Sequence, residues 1–191
     1  MATNTASGAG SPESTWNRIM QLRPAVWQLY LFWVIPLSII PPLMLYYAGT
    51  HHGGKLMPAV NTGELKAMAI LFFVVEVVAV PVMALVVQKL GQVVEMTPEY
   101  RDTFRLASVA PTPLWIAPLF LFVPSMLLNI AISALAMMLA ALLIFVGVDP
   151  VFRLKDAGQS LLMAGAILAA GLVGWVIMVI LALVSWGYVV G

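Results

Sequence analysis

Long runs of apolar residues alternate with short polar stretches along most of the chain. The longest run, from Arg101 to Val148, has no charged side chain after Arg105. It is about twice as long as the roughly 20 apolar residues that one helical crossing of a bilayer needs. The pattern therefore predicts a helical hairpin, with the chain reversing at Pro124 and Ser125 and with Asn129 close to the polar headgroups.

The other apolar runs extend this pattern to an all-α integral membrane protein, a five-helix bundle. The predicted spans cover about residues 26–48, 67–87, 103–123, 127–148 and 159–186, and together they form one membrane domain, 26–191. Residues 1–14 are too polar to bury, which predicts a disordered tail.

Residues 15–25 place Trp16, Ile19 and Met20 on one helical face. This spacing predicts a short helix lying in the membrane interface, and a simple extension of the first span is the alternative.

Prolines interrupt two of the predicted spans. Each proline removes one amide donor from the helix, so both spans should be kinked or broken. The prolines concerned are Pro36, Pro41 and Pro42 in the first span and Pro111, Pro113 and Pro118 in the third.

Composition supports the membrane assignment. The chain is 62% hydrophobic and 9% charged, whereas soluble domains have about 45–50% apolar and 25% charged residues. The absence of cysteine excludes disulfides and thiolate chemistry, and a net charge of +1 argues against nucleic-acid binding.

The basic residues indicate an orientation. With five spans, seven of the nine basic residues fall on the side of the N-terminus, which predicts a cytoplasmic N-terminus and an external C-terminus. The seven are Arg18, Arg23, Lys89, Arg101, Arg105, Arg153 and Lys155, and the other two are Lys55 and Lys66.

Glu76 is the ionisable residue that lies deep within a predicted span. A charge at that depth costs at least about 2.5–3.5 kcal/mol, which makes Glu76 a functional candidate. The alternative is a neutral carboxyl group that donates a hydrogen bond to the carbonyl of Val77, which Pro81 leaves without its helical donor. No intramembrane Lys or Arg is available as a partner for Glu76, and this weakens a transporter interpretation.

Small residues recur at helical spacing in the last two spans, at Ala136 and Ala140 and at Ala166, Ala170 and Gly174. Such stripes let helix backbones approach closely. Packing within the bundle is favoured over a dimer interface.

Sequence motifs of catalysis are absent, among them H-E-x-x-H, G-x-S-x-G, the P-loop and G-x-G-x-x-G. We predict no enzyme activity, no catalytic residue and no cofactor. Adjacent histidines, His51 and His52, point apart on a helix or strand, so no metal site is expected.

The segments LRPAVWQLY, LFWVIPLSIIPPL, APTPLWIAPLFLFVP and FVGVDPVFRLKD, in this order, resemble the bacterial branch of the Yip family of Ypt/Rab-interacting membrane proteins. The resemblance covers roughly Arg18 to the C-terminus. It implies five spans, a cytoplasmic N-terminus and residence in the bacterial inner membrane. It also implies a role as a membrane-embedded binding partner, and it provides no catalytic residues.

The leading hypothesis is a non-enzymatic inner-membrane protein that binds or organises partner membrane proteins or lipids. The predicted contact surface is the charged cytoplasmic loop from Lys89 to Arg105, with Arg101 and Arg105 as its test residues. Further candidate functional residues are Pro111, Pro113 and Trp115, in the third segment of the resemblance. A homo-oligomer is a further possible partner, and nucleic acid is not expected. The alternative is a small transporter or channel component that uses Glu76.

Overall fold

The computed structural model describes residues 16, 18, 21–22, 24–52, 61–93, 96–154 and 156–190, and within them the regular secondary structure is entirely helical. Five stretches are long and apolar enough to cross a membrane: Val26–His51, Thr62–Gln92, Tyr100–Phe122, Met126–Phe152 and Ala157–Met178. These are called spans one to five below. The prediction of an all-α membrane protein with five spans is confirmed.

Three of the spans are parts of continuous α-helices. These helices run over Thr62–Val93, Met126–Phe152 and Ala157–Val190. Pro81 is tolerated inside the first of them.

Span one is a series of short helices. An α-turn at Val26–Leu29 leads into a π-helical turn at Tyr30–Val34 and a second α-turn at Ile35–Ser38. After a turn at Ile39, an α-helix continues over Ile40–His51.

Span three is also divided, and its prolines occupy the divisions. It consists of α-helices at Tyr100–Val109 and Thr112–Ile116 and a 3₁₀-helix at Ala117–Phe122. Pro113 and Pro118 lie in the first turns of the last two, where the missing amide hydrogen would have had no helical partner.

The chain reverses between spans three and four at the predicted place. The hydroxyl of Ser125 accepts a hydrogen bond from the amide of Leu128 at 3.4 Å. The amide nitrogen of the Asn129 side chain donates to the carbonyls of Val123 and Ser125, at 3.0 and 2.8 Å. Asn129 therefore stabilises the turn itself.

Spans one and two pack as an antiparallel pair. Near one end, a Cβ atom added to Gly49 would lie 2.5 Å from Cδ2 of Leu65. Near the middle, Val34 and Val80 belong to one buried cluster. Fifteen residues separate the two positions on each helix, so the two pairs of residues lie at matching levels.

A second buried cluster joins the segment before span one to spans three, four and five. Trp16 is 1% exposed and packs with Leu106, Val148 and Met163. Of the residues for which an interfacial helix is predicted, Ile19 and Met20 lie outside the described part. Trp16 itself is buried among the helices.

The predicted small-residue stripes differ in their use. Ala136 and Ala140 are buried, as packing within the bundle requires. On span five, however, Gly174 is exposed, and the buried positions are Met163, Ala164 and Ile167. The buried part of span five is thus a stripe in which two of the three residues carry side chains larger than that of alanine.

Candidate functional site

Arg105 joins span three to the segment in front of span one. Its guanidinium donates from Nη1 to the carboxylate of Asp102, one helical turn earlier, and from Nη2 to the carbonyl of Pro24 at 3.2 Å. The residue is only 3% exposed. Arg105 therefore holds two parts of the molecule together, and its side chain is not available as a contact surface.

Arg101 lies one turn earlier on the same helix and is exposed. It borders a lateral groove of about 490 Å³ between spans one, two and three. The groove is lined by Ala25, Val26, Trp27, Tyr30, Pro81, Tyr100, Arg101 and Phe104. Its wall is mainly apolar and aromatic, with the guanidinium of Arg101 as its formal charge.

The other candidates of span three contribute to packing. Trp115 is 4% exposed and belongs to the same cluster as Val34 and Val80. Pro111 and Pro113 flank Thr112, whose hydroxyl accepts a hydrogen bond from Nε1 of Trp33 at 3.2 Å. This group of residues connects span three to span one.

Glu76 is buried at the middle of span two, with 7% of its surface exposed. Its Oε2 atom has no hydrogen-bond partner among the described residues. The carbonyl of Val77 instead accepts a hydrogen bond from the hydroxyl of Tyr30 at 3.1 Å. Tyr30 thus uses the carbonyl that Pro81 leaves free, and Glu76 is left without that partner.

Ser38 is a second buried polar residue, and sequence reasoning did not identify it. It is completely buried, and its hydroxyl has no partner in the described part of the chain. Ser38 follows Val34 by one helical turn, and Glu76 precedes Val80 by one turn. Since Val34 and Val80 share a buried cluster and the helices are antiparallel, Ser38 and Glu76 lie at the same depth along the helix pair. The feature of the sequence that could have indicated Ser38 is its position just before Pro41 and Pro42.

Clusters typical of metal centres were not found in the described residues, where no three His, Cys, Asp or Glu side chains come together. His51 stacks on Tyr47, with 4.2 Å between ring centroids. Its Nδ1 lies 2.9 Å from the hydroxyl of Thr50.

Five long apolar helices with buried polar groups between them define a multi-pass α-helical membrane protein. Residues 11–178 match the family model described as the Yip1 domain, and the chain belongs to the Yip1 family. Neither the curated proteins nor the solved structures contain a match to it. The resemblance noted in the sequence is confirmed at the level of the family, and the bacterial branch stays a prediction.

Proposed function

We propose that this Yip1-family protein is a non-enzymatic adaptor of the bacterial inner membrane that binds a partner membrane protein. Family membership supports this proposal, because the Yip1 family is not known as enzymatic. The observation that carries it is the groove beside Arg101.

The composition of the groove favours a protein as its occupant. Trp, Tyr and Arg are the residue types that dominate the energetics of protein interfaces, and the groove presents Trp27, Tyr30, Tyr100 and Arg101. The Trp27 side chain is 58% exposed, so most of its surface is free to contact a partner. A helix with an apolar face and an acidic residue near its end would pack along the groove and pair with Arg101.

The two arginines of this helix differ in whether their side chains are already paired within the protein. Arg105 is occupied by Asp102 and Pro24, whereas Arg101 makes no ion pair among the described residues. Contact with the partner is therefore assigned to Arg101, while Arg105 holds the helix that presents it.

The test is co-purification from native membranes in polymer nanodiscs, using a C-terminally tagged chain with a photoreactive amino acid in place of Trp27. We expect a protein partner that crosslinks at this position, and Arg101→Gln should reduce its yield by about tenfold or more. Lys89→Gln is the matched control, because Lys89 is also exposed and lies near the same end of the bundle as Arg101. Among the described residues, its side chain hydrogen-bonds only to Gln92, at 3.5 Å.

A photoreactive residue at Leu161, exposed on span five, controls for random collisions in the membrane. Crosslinking to lipid alone at position 27, or an equal yield of partner with Arg101→Gln, would contradict the proposal. The transporter alternative gains no support from the groove or from family membership.

A further inference from the structure

Two buried side chains at the centre of the membrane domain carry an oxygen atom, Oγ of Ser38 and Oε2 of Glu76, that has no hydrogen-bond partner among the described residues. Ser38 is twelve residues from the start of span one and thirteen from its end, and Glu76 is fourteen and sixteen residues from the ends of span two. Both are more than nine-tenths buried. At mid-depth, lipid offers no hydrogen bonds, so groups of this kind need a partner inside the protein.

The packing of spans one and two places the two side chains at the same level of the helix pair, each one turn from a residue of the same buried cluster. The contact of Gly49 with Leu65 and the shared cluster of Val34 and Val80 set the alignment of the two helices between these positions. In that alignment, Ser38 lies at the level of Glu76.

A backbone oxygen adds to this layer. Pro42 has no amide hydrogen to donate to the carbonyl of Ser38. The next amide, that of Leu43, donates to the carbonyl of Ile39 at 3.1 Å. The broken part of span one therefore supplies, from the same residue, a hydroxyl and a carbonyl that lacks its helical donor.

We propose that Ser38 and Glu76 form an intramembrane binding site for a monovalent hard cation of the Na⁺ or K⁺ type. Carboxylate, hydroxyl and carbonyl oxygens are the donors that hard cations prefer. Discontinuous helices with unpaired carbonyls at the midplane are a recognised way to coordinate such ions.

Charge balance selects a monovalent ion. One carboxylate neutralises one positive charge, and a divalent ion would leave a net charge in the hydrocarbon region. In the described spans, every other Asp, Glu, Lys or Arg lies within six residues of the end of a span. The inference does not depend on the groove beside Arg101.

The test measures the thermal unfolding of the full chain in lipid nanodiscs, at pH 7 and at pH 9, in NaCl, in KCl and in choline chloride at equal ionic strength. We expect Na⁺ or K⁺ to raise the Tm in a saturable manner, by about 5 °C or more at a hundredfold excess over Kd. Choline, which is too large for a site inside the helix pair, should have no such effect.

Variants connect the effect to the site. Glu76→Gln should abolish the cation-dependent rise in Tm, and Ser38→Ala should weaken the affinity about tenfold. Ser108→Ala is the matched control: Ser108 is also a buried serine, but its hydroxyl already donates to the carbonyl of Arg105, at 3.1 Å. We expect it to keep the full response.

An equal Tm of the unmodified protein in all three salts at both pH values would overturn the inference. A full response in Glu76→Gln would do the same. If Glu76→Gln does not fold, Ser38→Ala decides the question, because an unchanged affinity in that variant also overturns the site.

Discussion

At the scale of single residues, some polar side chains inside the bundle donate hydrogen bonds to the protein, and others carry a polar atom with no hydrogen-bond partner among the described residues. Tyr30, Ser108 and Arg105 donate to backbone carbonyls. The carbonyls of Val77 and Pro24 have no helical donor of their own, whereas that of Arg105 lies within the helix of Ser108.

Among the described residues, the hydroxyl of Ser38 and Oε2 of Glu76 have no hydrogen-bond partner. Three buried nitrogens, on Trp16, His52 and Arg105, also lack one, but the proposed site needs oxygen atoms.

The ion pair of buried Arg105 with partly buried Asp102 supports a prediction about stability. Arg105→Gln removes the charge that Asp102 needs and the donor to Pro24, so we expect the free energy of unfolding to fall by about 3 kcal/mol. Thermal unfolding in nanodiscs measures the loss.

Arg101→Gln provides the comparison for this prediction, because Arg101 is exposed on the same helix. It should change stability by less than about 0.5 kcal/mol. The double variant Asp102→Asn, Arg105→Gln should lose less than the sum of the two single variants, since both remove the same interaction. Additive losses would show that the pair does not act as a unit.

At the scale of elements, close approach of the helices depends on glycine at one position in particular. A Cβ atom on Gly147 would lie 2.7 Å from Cδ1 of Leu106 and 2.7 Å from Cζ2 of Trp16. Span four therefore contacts span three and the segment before span one through a bare backbone.

Gly147→Ala should accordingly destabilise the protein by about 1–3 kcal/mol, because the added methyl group overlaps two buried side chains. Gly165→Ala is the matched control on span five, where a Cβ would meet no atom within 4 Å. There the higher helix propensity of alanine should leave stability unchanged or raise it by up to about 1 kcal/mol. Equal Tm values for the two variants would contradict this account of the contact.

The elements themselves were largely predictable from the sequence. Hydrophobic length sets the spans, and the reversal at Pro124 and Ser125 follows from local turn chemistry. The buried stripe of span five was not predictable, because it depends on which neighbours the helix meets. In the sequence, Met163 and Ile167 cannot be distinguished from apolar residues that face lipid.

At the scale of the whole molecule, the candidate sites come from contacts between distant parts of the chain. Tyr30 and Val77 are 47 residues apart, and Arg105 and Pro24 are 81 residues apart. Glu76 was identifiable from the sequence because a carboxyl group inside an apolar run is rare. Its opposite residue, Ser38, became identifiable only when the register between the two spans was known.

The predicted orientation can be tested with single cysteines, since the chain has none of its own. Thr62 and Gln92 are exposed at opposite ends of the continuous helix of span two. With a cytoplasmic N-terminus, Thr62→Cys should react with a membrane-impermeant maleimide in spheroplasts, and Gln92→Cys should react only after the membrane is opened. The reverse pattern would place the N-terminus outside.

The burial of Trp16 anchors the leading part of the chain in the bundle. Its indole ring is wedged between spans three and four, ten residues ahead of span one. A force that pulls on the N-terminal segment would first have to withdraw this ring, and the space it vacates lies against the backbone of Gly147. Tension applied in the aqueous phase would therefore loosen a helix contact inside the bundle before it moved span one.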